Sequence, residues 1–168
     1  TGAMDYWPNV DAVVWFATET LPALRQRYPG LMFYIVGRDP APKVLSLAGD
    51  GVVVTGTVSD VRPYLQHAAA VVAPLRVARG IQNKILEAMA MQKAVVTVNS
   101  CADAIGAGAD QGLLRAESPD EFIQALAPLA ALVVGALEDG LGAVFAALCQ
   151  PDVLWSVWNT LAISLLVV

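Results

Sequence analysis

The sequence predicts an α/β domain on a doubly wound, Rossmann-like parallel sheet. Three observations predict it. Short apolar runs with little polar alternation recur along the chain, among them "LMFYIVG", "GVVVTGTV", "AAVVAPL" and "AVVTVNS", and such runs fit strands buried on both faces. Stretches of helical period lie between them, which is the βαβ rhythm of a parallel sheet with helices on both sides. Gly2, Gly37, Gly56 and Gly80 each fall at or just after a strand end, or where one should have ended. All four therefore face the carboxyl rim, where open sheets of this kind take ligands.

The elements follow in order. From Asn9 to Tyr28, apolar residues at Val10, Val13, Val14, Ala17, Leu21, Leu24 and Tyr28 keep helical spacing with one buried stripe. Pro29-Gly30 stops that helix, and residues 31–37 form a strand. A weak helix near Lys43–Ala48 leads to the strand at 51–58. "SDVRPYLQHA" opens with a cap at Ser59 or Asp60, with Pro63 tolerable in the first turn. Strands at 69–75 and 94–100 flank a helix over Asn83–Gln92, and "GLLRA" is a brief fifth strand. Ser118 caps a last helix with Glu121 three residues on. The helix at Asn9 should follow a strand ending near Thr1, so the first strand is expected to be missing.

The chain of 168 residues is long enough for one self-sufficient core. Its net charge of −5 excludes a basic face for nucleic acid. The charge is unevenly laid: all 10 Lys and Arg lie at or before Arg115, and only acidic residues follow. That shift divides the chain into a domain over residues 1–129 and an apolar helical tail over 130–168. Cys101 and Cys149 are expected to be free thiols in a reducing compartment. The opening "TGAMDYWPN" has neither an initiating Met nor a signal peptide, so a fragment of a cytoplasmic protein is expected.

Chemistry concentrates in "VARGIQNKILEAMAMQKAVVTV" (77–98). Gly80 opens a turn into a helix whose N-terminal amides could receive an anion. Glu87 has apolar neighbours on both sides, so burial is expected, and a buried carboxylate needs partners. Two readings stay open on residues alone: an ion pair with Lys84 one turn back, or a ligand contact. His67 fits packing or the surface. Trp7 and Trp15 fit as staples of the first helix. Asp103 and Asp110 fit a solvated loop, and no metal cluster is visible.

"NKILEAMAMQKAVVTVNS" resembles the signature of the retaining GT-B glycosyltransferases of group 1. "TGAMDYWPNVDAVVWF", "FYIVGRDP" and "VVVTGTVSDVRPYLQHAAAVVAPL" resemble the C-terminal domain of that family in the same order, from Thr1 to about Leu126. The nearest subgroup is the bacterial exopolysaccharide-associated sugar transferases. The resemblance implies a half-enzyme that binds a nucleoside-diphosphate sugar as substrate, needs no cofactor, and lacks its N-terminal acceptor domain. It implies donor contacts at Gly2, Gly37, Arg38, Gly56, Val58, Arg79, Gly80, Ile81, Gln82, Asn83, Lys84 and Glu87. Within these, the Gly80–Asn83 turn would meet the diphosphate and Glu87 the ribose; no catalytic residue is assigned. Two positions depart from the family pattern. Arg79 stands where a first glutamate is usual, and the opening loop "GAMDYWPN" lacks the usual cations. Arg79 and Lys84, with Arg76 nearby, are expected to supply the diphosphate clamp instead.

The tail is separate. "ALVVGALEDGLGAVFAALCQPDVLWSVWNTLAISLLVV" (131–168) resembles the start of a sulfate-type ABC transporter permease, which implies membrane contact; a buried C-terminal helix is the alternative. Two other functional readings follow: a membrane transport or fusion fragment defined by that tail, and a non-catalytic nucleotide-binding module.

Overall fold

The computed structural model describes residues 2–77, 80–138 and 164–167. Helix α1 (Trp7–Trp15) passes through a π-helical turn (Phe16–Thr20) into α2 (Leu21–Arg27). The sequence reads this stretch as one helix. Pro22 divides it, because a proline has no N–H for the carbonyl four residues back. The Leu21 N–H instead reaches Phe16 O, widening the turn. Strand β1 (Met32–Val36), α3 (Pro42–Leu45), β2 (Val52–Gly56), α4 (Arg62–His67) and β3 (Ala70–Ala73) follow. Next come α5 (Asn83–Ala90), β4 (Val95–Thr97), α6 (Asn99–Ile105), a 3-10 turn (Ala109–Gln111), β5 (Leu113–Arg115) and α7 (Pro119–Glu138). A last strand, β6 (Ser164–Val167), completes the sheet.

Local chemistry explains the starts. The Asp60 carboxylate accepts the Arg62 N–H at 2.9 Å, capping α4 one residue earlier than its formal N-cap. At α7, Ser118 Oγ accepts the Glu121 N–H at 3.3 Å, and Glu121 reaches back to the Glu117 N–H at 2.7 Å. The expected capping box thus closes one residue wider than its usual form.

The sheet runs β2-β1-β6-β3-β4-β5, all parallel. Alternate residues of β3 feed two cores, as a two-sided strand requires. Ala70 and Val72 join Phe16, Phe33, Leu24 and Phe122 under α1, α2 and α7. Val71 and Ala73 join Leu65, Ile85, Ala88 and Cys101 under α4, α5 and α6. Phe16 anchors the first core, tilted on Phe33 at 4.9 Å and edge-on to Phe122 at 6.1 Å. The doubly wound parallel sheet is as the sequence predicts.

Two expectations change. Asn99 and Ser100, expected to end the fourth strand, and Asp103, expected in a loop, instead lie in α6, with Cys101 and Ala102 buried and Asp103 paired to Arg115 on β5. Ser164–Val167, expected to be helical, is extended and lies between β1 and β3, which is where the missing first strand belongs. No helix among the described residues is long and apolar enough to cross a membrane. The rest of the tail (139–163 and 168), including Cys149 and the two tail tryptophans, lies outside the described residues.

Candidate functional site

The carboxyl rim begins where two main chains touch. Arg38, just past β1, donates its N–H to Gly2 O at 3.0 Å, and Met4 donates to Arg38 O at 2.7 Å, forming a parallel bridge between Ala3 and Arg38. A Cβ on Gly37 would run into the Gly2 carbonyl and come within 2.8 Å of Met4 Cγ. Only glycine allows this approach. Beside it opens a cleft of about 450 Å³ lined by Gly2, Ala3, Val36, Gly37, Arg38, Thr57, Val58, Ser59 and Val61. Arg38, one of the lining residues, is exposed, and Gly56 ends β2 one residue before the lining residue Thr57.

The second half of the rim is the N-terminus of α5. Gly80 takes φ +80°, a left-handed conformation that strains any other residue. Open space surrounds it. Ile81 and Asn83 are exposed, Gln82 is the N-cap residue, and no side chain caps the helix. Among the described residues no side-chain cap satisfies its first amides, the condition under which a helix N-terminus can receive an anion.

Lys84 joins the two halves. Its Nζ donates to Asn9 Oδ1 at 2.7 Å, and Asn9 Nδ2 donates to Ala3 O at 2.8 Å. The ammonium lies 3.6 Å from where a Gly2 Cβ would stand. Thus the opening loop, which contains no cation of its own, receives one from α5. Burial pulls the Lys84 pKa down to about 8, with Cys101 and Glu87 acting in the opposite direction. Asn9, itself buried, is a site residue that the sequence reading missed.

Glu87 corrects an expectation. It is exposed on α5, whose buried residues are Ile85 and Ala88, so no burial penalty forces a partner on it. The helix is amphipathic, and its apolar residues Leu86 and Ala90 face outward with Glu87. Nor does Lys84 form an ion pair with Glu87 within 4.0 Å among the described residues; it is held by Asn9. Arg76 is likewise engaged elsewhere, bridging Asp11 at 2.9 Å and stacking 5.0 Å over the Trp15 ring. Arg79 lies outside the described residues.

Of the remaining candidates, Trp7 is 62% exposed, whereas Trp15 packs edge-on against Phe122 at 5.5 Å. His67 Nδ1 lies 2.7 Å from Pro63 O at the end of α4. Burial raises the Cys101 thiol pKa, which leaves the thiol protonated at neutral pH. No group of three His, Cys, Asp or Glu among the described residues could hold a metal ion.

A doubly wound sheet with an open cleft, a helix N-terminus without a side-chain cap and a half-buried lysine on one rim defines a class: an α/β domain whose carboxyl edge is open and carries a positive charge. The particular family follows from comparison with known proteins. The family model for glycosyl transferases group 1 matches residues 1–131. The chain belongs to that family. No curated protein matches it.

Proposed function

We propose that this chain is the donor-binding half of a glycosyltransferase that moves a sugar from a nucleoside-diphosphate sugar to a glycan or lipid-linked acceptor. The observation that carries this reading is Lys84, whose ammonium is delivered by Asn9 to Gly2, between the cleft and the N-terminus of α5. The cleft beside Gly37 and Val58 suits the nucleoside, and Arg38 is among its lining residues. The amides of Gly80–Asn83 and the Lys84 ammonium suit the diphosphate. Exposed Glu87, one turn further along α5, is available to accept hydrogen bonds from the ribose hydroxyls. Glu87 then anchors the donor and takes no part in proton transfer. No cofactor enters this scheme.

Transfer itself needs an acceptor held in a water-poor cleft, a task for an N-terminal acceptor domain facing this rim. The motifs support the bacterial exopolysaccharide-associated subgroup, working at the cytoplasmic side where nucleotide sugars are supplied. Arg79 belongs to this scheme as a second phosphate ligand. The permease-like tail supports membrane contact as a second, independent reading for residues 139–163.

Saturation-transfer NMR on the full chain with UDP- and GDP-sugars tests the donor reading. Saturation of the base and ribose protons that is lost in Glu87→Ala is expected. No transfer to either nucleotide overturns it.

A further inference from the structure

The chain on either side of the Gly80 turn is tied to one helix by two cations. Arg76, just past β3, grips both carboxylate oxygens of Asp11 on α1. Its Nη2 donates to Oδ1 at 2.9 Å and to Oδ2 at 3.1 Å, and its Nε donates to Oδ2 at 3.3 Å. The same guanidinium lies 5.0 Å over the Trp15 ring. Asp11 and Trp15 are one helical turn apart, so a single face of α1 offers the arginine a carboxylate and an aromatic plane together. Beyond the turn, Lys84 of α5 donates to Asn9 Oδ1 at 2.7 Å. The two anchors, Asn9 and Asp11, are close neighbours on α1, and Gly80–Asn83 lies between the two tied cations in sequence.

Packing does not hold this stretch. Leu75 and Ile85 are buried, but no described residue between them is; Val77 and Ile81 are exposed. Helix α1, in contrast, is fixed. Its Ala12 and Val13 are fully buried, and Trp15 meets Phe122 of α7 edge-on at 5.5 Å. A surface ion pair alone contributes little. Here Asp11 is half-buried, the arginine's fork takes both oxygens, and its flat face meets an indole. A lysine ammonium, a point charge, cannot make both contacts in that way.

We propose that Arg76, held by Asp11 and Trp15, is a positioning residue for the diphosphate site: it docks the chain entering the Gly80 turn onto α1, as Lys84 and Asn9 dock the chain leaving it. The identity of the ligand rests on the donor reading above; the docking does not. Arg76 touches no phosphate in this arrangement. Its charge is matched by Asp11, and its effect reaches the ligand through the amides of Gly80–Asn83. Amides held in place before an anion arrives need no ordering when it binds, and that ordering would otherwise weaken affinity. The two cations thus divide the work: Arg76 fixes the turn, and Lys84 is presented to the anion.

Hydrogen exchange on the full chain reads the docking without any nucleotide. The Ile85 and Leu86 amides donate to Gln82 O at 2.9 Å and 3.4 Å, the first hydrogen bonds of α5. In Arg76→Ala their protection is expected to fall about tenfold, while the Val71 and Val95 strand amides keep theirs. Asp11→Asn should give the same local loss, and the double variant no more than either single one. Unchanged protection in Arg76→Ala, a loss shared by the strands, or additive losses in the double variant overturn the proposal. Calorimetric titration then separates positioning from a merely structural role. Inorganic pyrophosphate is expected to bind Arg76→Ala about tenfold more weakly than wild type, with uridine within about twofold. Equal weakening of both probes, or of neither, overturns it. A wild type that takes up neither probe overturns the donor reading instead, and the exchange pattern then decides the docking alone.

Discussion

Lys84 is costly to keep, and the cost can be measured. Its pKa falls from 10.5 to about 8, chiefly through burial. Below about pH 8 the lysine is charged in both folded and unfolded chains, and the folded state bears the full desolvation penalty. Between about pH 8 and 10.5 the folded chain releases its proton before the unfolded chain does. The unfolded state then binds more protons, so stability rises with pH. Integrating that difference from about pH 7.5 to about pH 9.5 gives a gain of about 2 kcal/mol for this one group. The perturbation is Lys84→Met, which keeps the apolar stem and removes the titrating group. Loss of the Asn9 hydrogen bond shifts the variant's stability by a constant, so the comparison rests on slopes. Urea unfolding of both proteins at the two pH values should show wild type gaining about 2 kcal/mol relative to Lys84→Met. Parallel pH dependences would refute the assignment of a desolvated ammonium at Gly2.

Four further outcomes follow. Inorganic pyrophosphate and UDP should bind more weakly to wild type as pH rises through about 8, because the ligand needs the charged lysine; calorimetric titration of Lys84→Arg, which stays charged, should lack that decline. Glu87→Ala should change stability by less than about 0.5 kcal/mol, since Glu87 is exposed, yet weaken uridine binding about tenfold by NMR titration. Gly37→Ala should destabilise by roughly 2 kcal/mol or more in thermal melts and abolish nucleotide binding, because its Cβ displaces Gly2 and Met4. Purified alone, the 168-residue chain should transfer no sugar above a Glu87→Ala control in a radiolabelled-donor assay.

The fold was largely legible because its strands are continuous apolar runs and its helices carry period and caps. "FYIVG" and "VVTG" leave little alternative to buried parallel strands, and Ser118 with Glu121 marks the start of α7. Helix α6 escaped because "NSCADAI" opens without a strong cap and is only seven residues long. It is fixed by burial of Cys101 and Ala102 and by the Asp103–Arg115 pair, none of which is local in sequence. The extended state of Ser164–Val167 comes from the ladders of β1 and β3, a tertiary pull that overrides the helical reading of an apolar run. At the rim, the glycines were legible one by one, since each follows its own strand. Glu87 is exposed although its sequence neighbours are apolar, because neighbours in sequence on a helix are not neighbours in space; Ile85 and Ala88 point inward, away from it. Asn9 went unnoticed because an Asn at the start of a helix most simply suggests a cap. Its partners, Ala3 and Lys84, lie six and 75 residues away.

The choice of an amide to hold Lys84 has an electrical consequence. A carboxylate at position 9 would orient the ammonium equally well, but it would quench its field. Asn9 fixes the position of the charge through Oδ1 and is itself fixed through Nδ2 on Ala3 O, with no countercharge added. In a chain whose net charge is −5, the rim at Gly2 thus keeps a local positive potential already pointed at its target. On the proposed donor reading, an arriving anion meets an ammonium held by Asn9 that forms no ion pair within 4.0 Å among the described residues. Asn9→Asp is therefore a near-isosteric exchange that leaves the shape of the rim in place and removes its field.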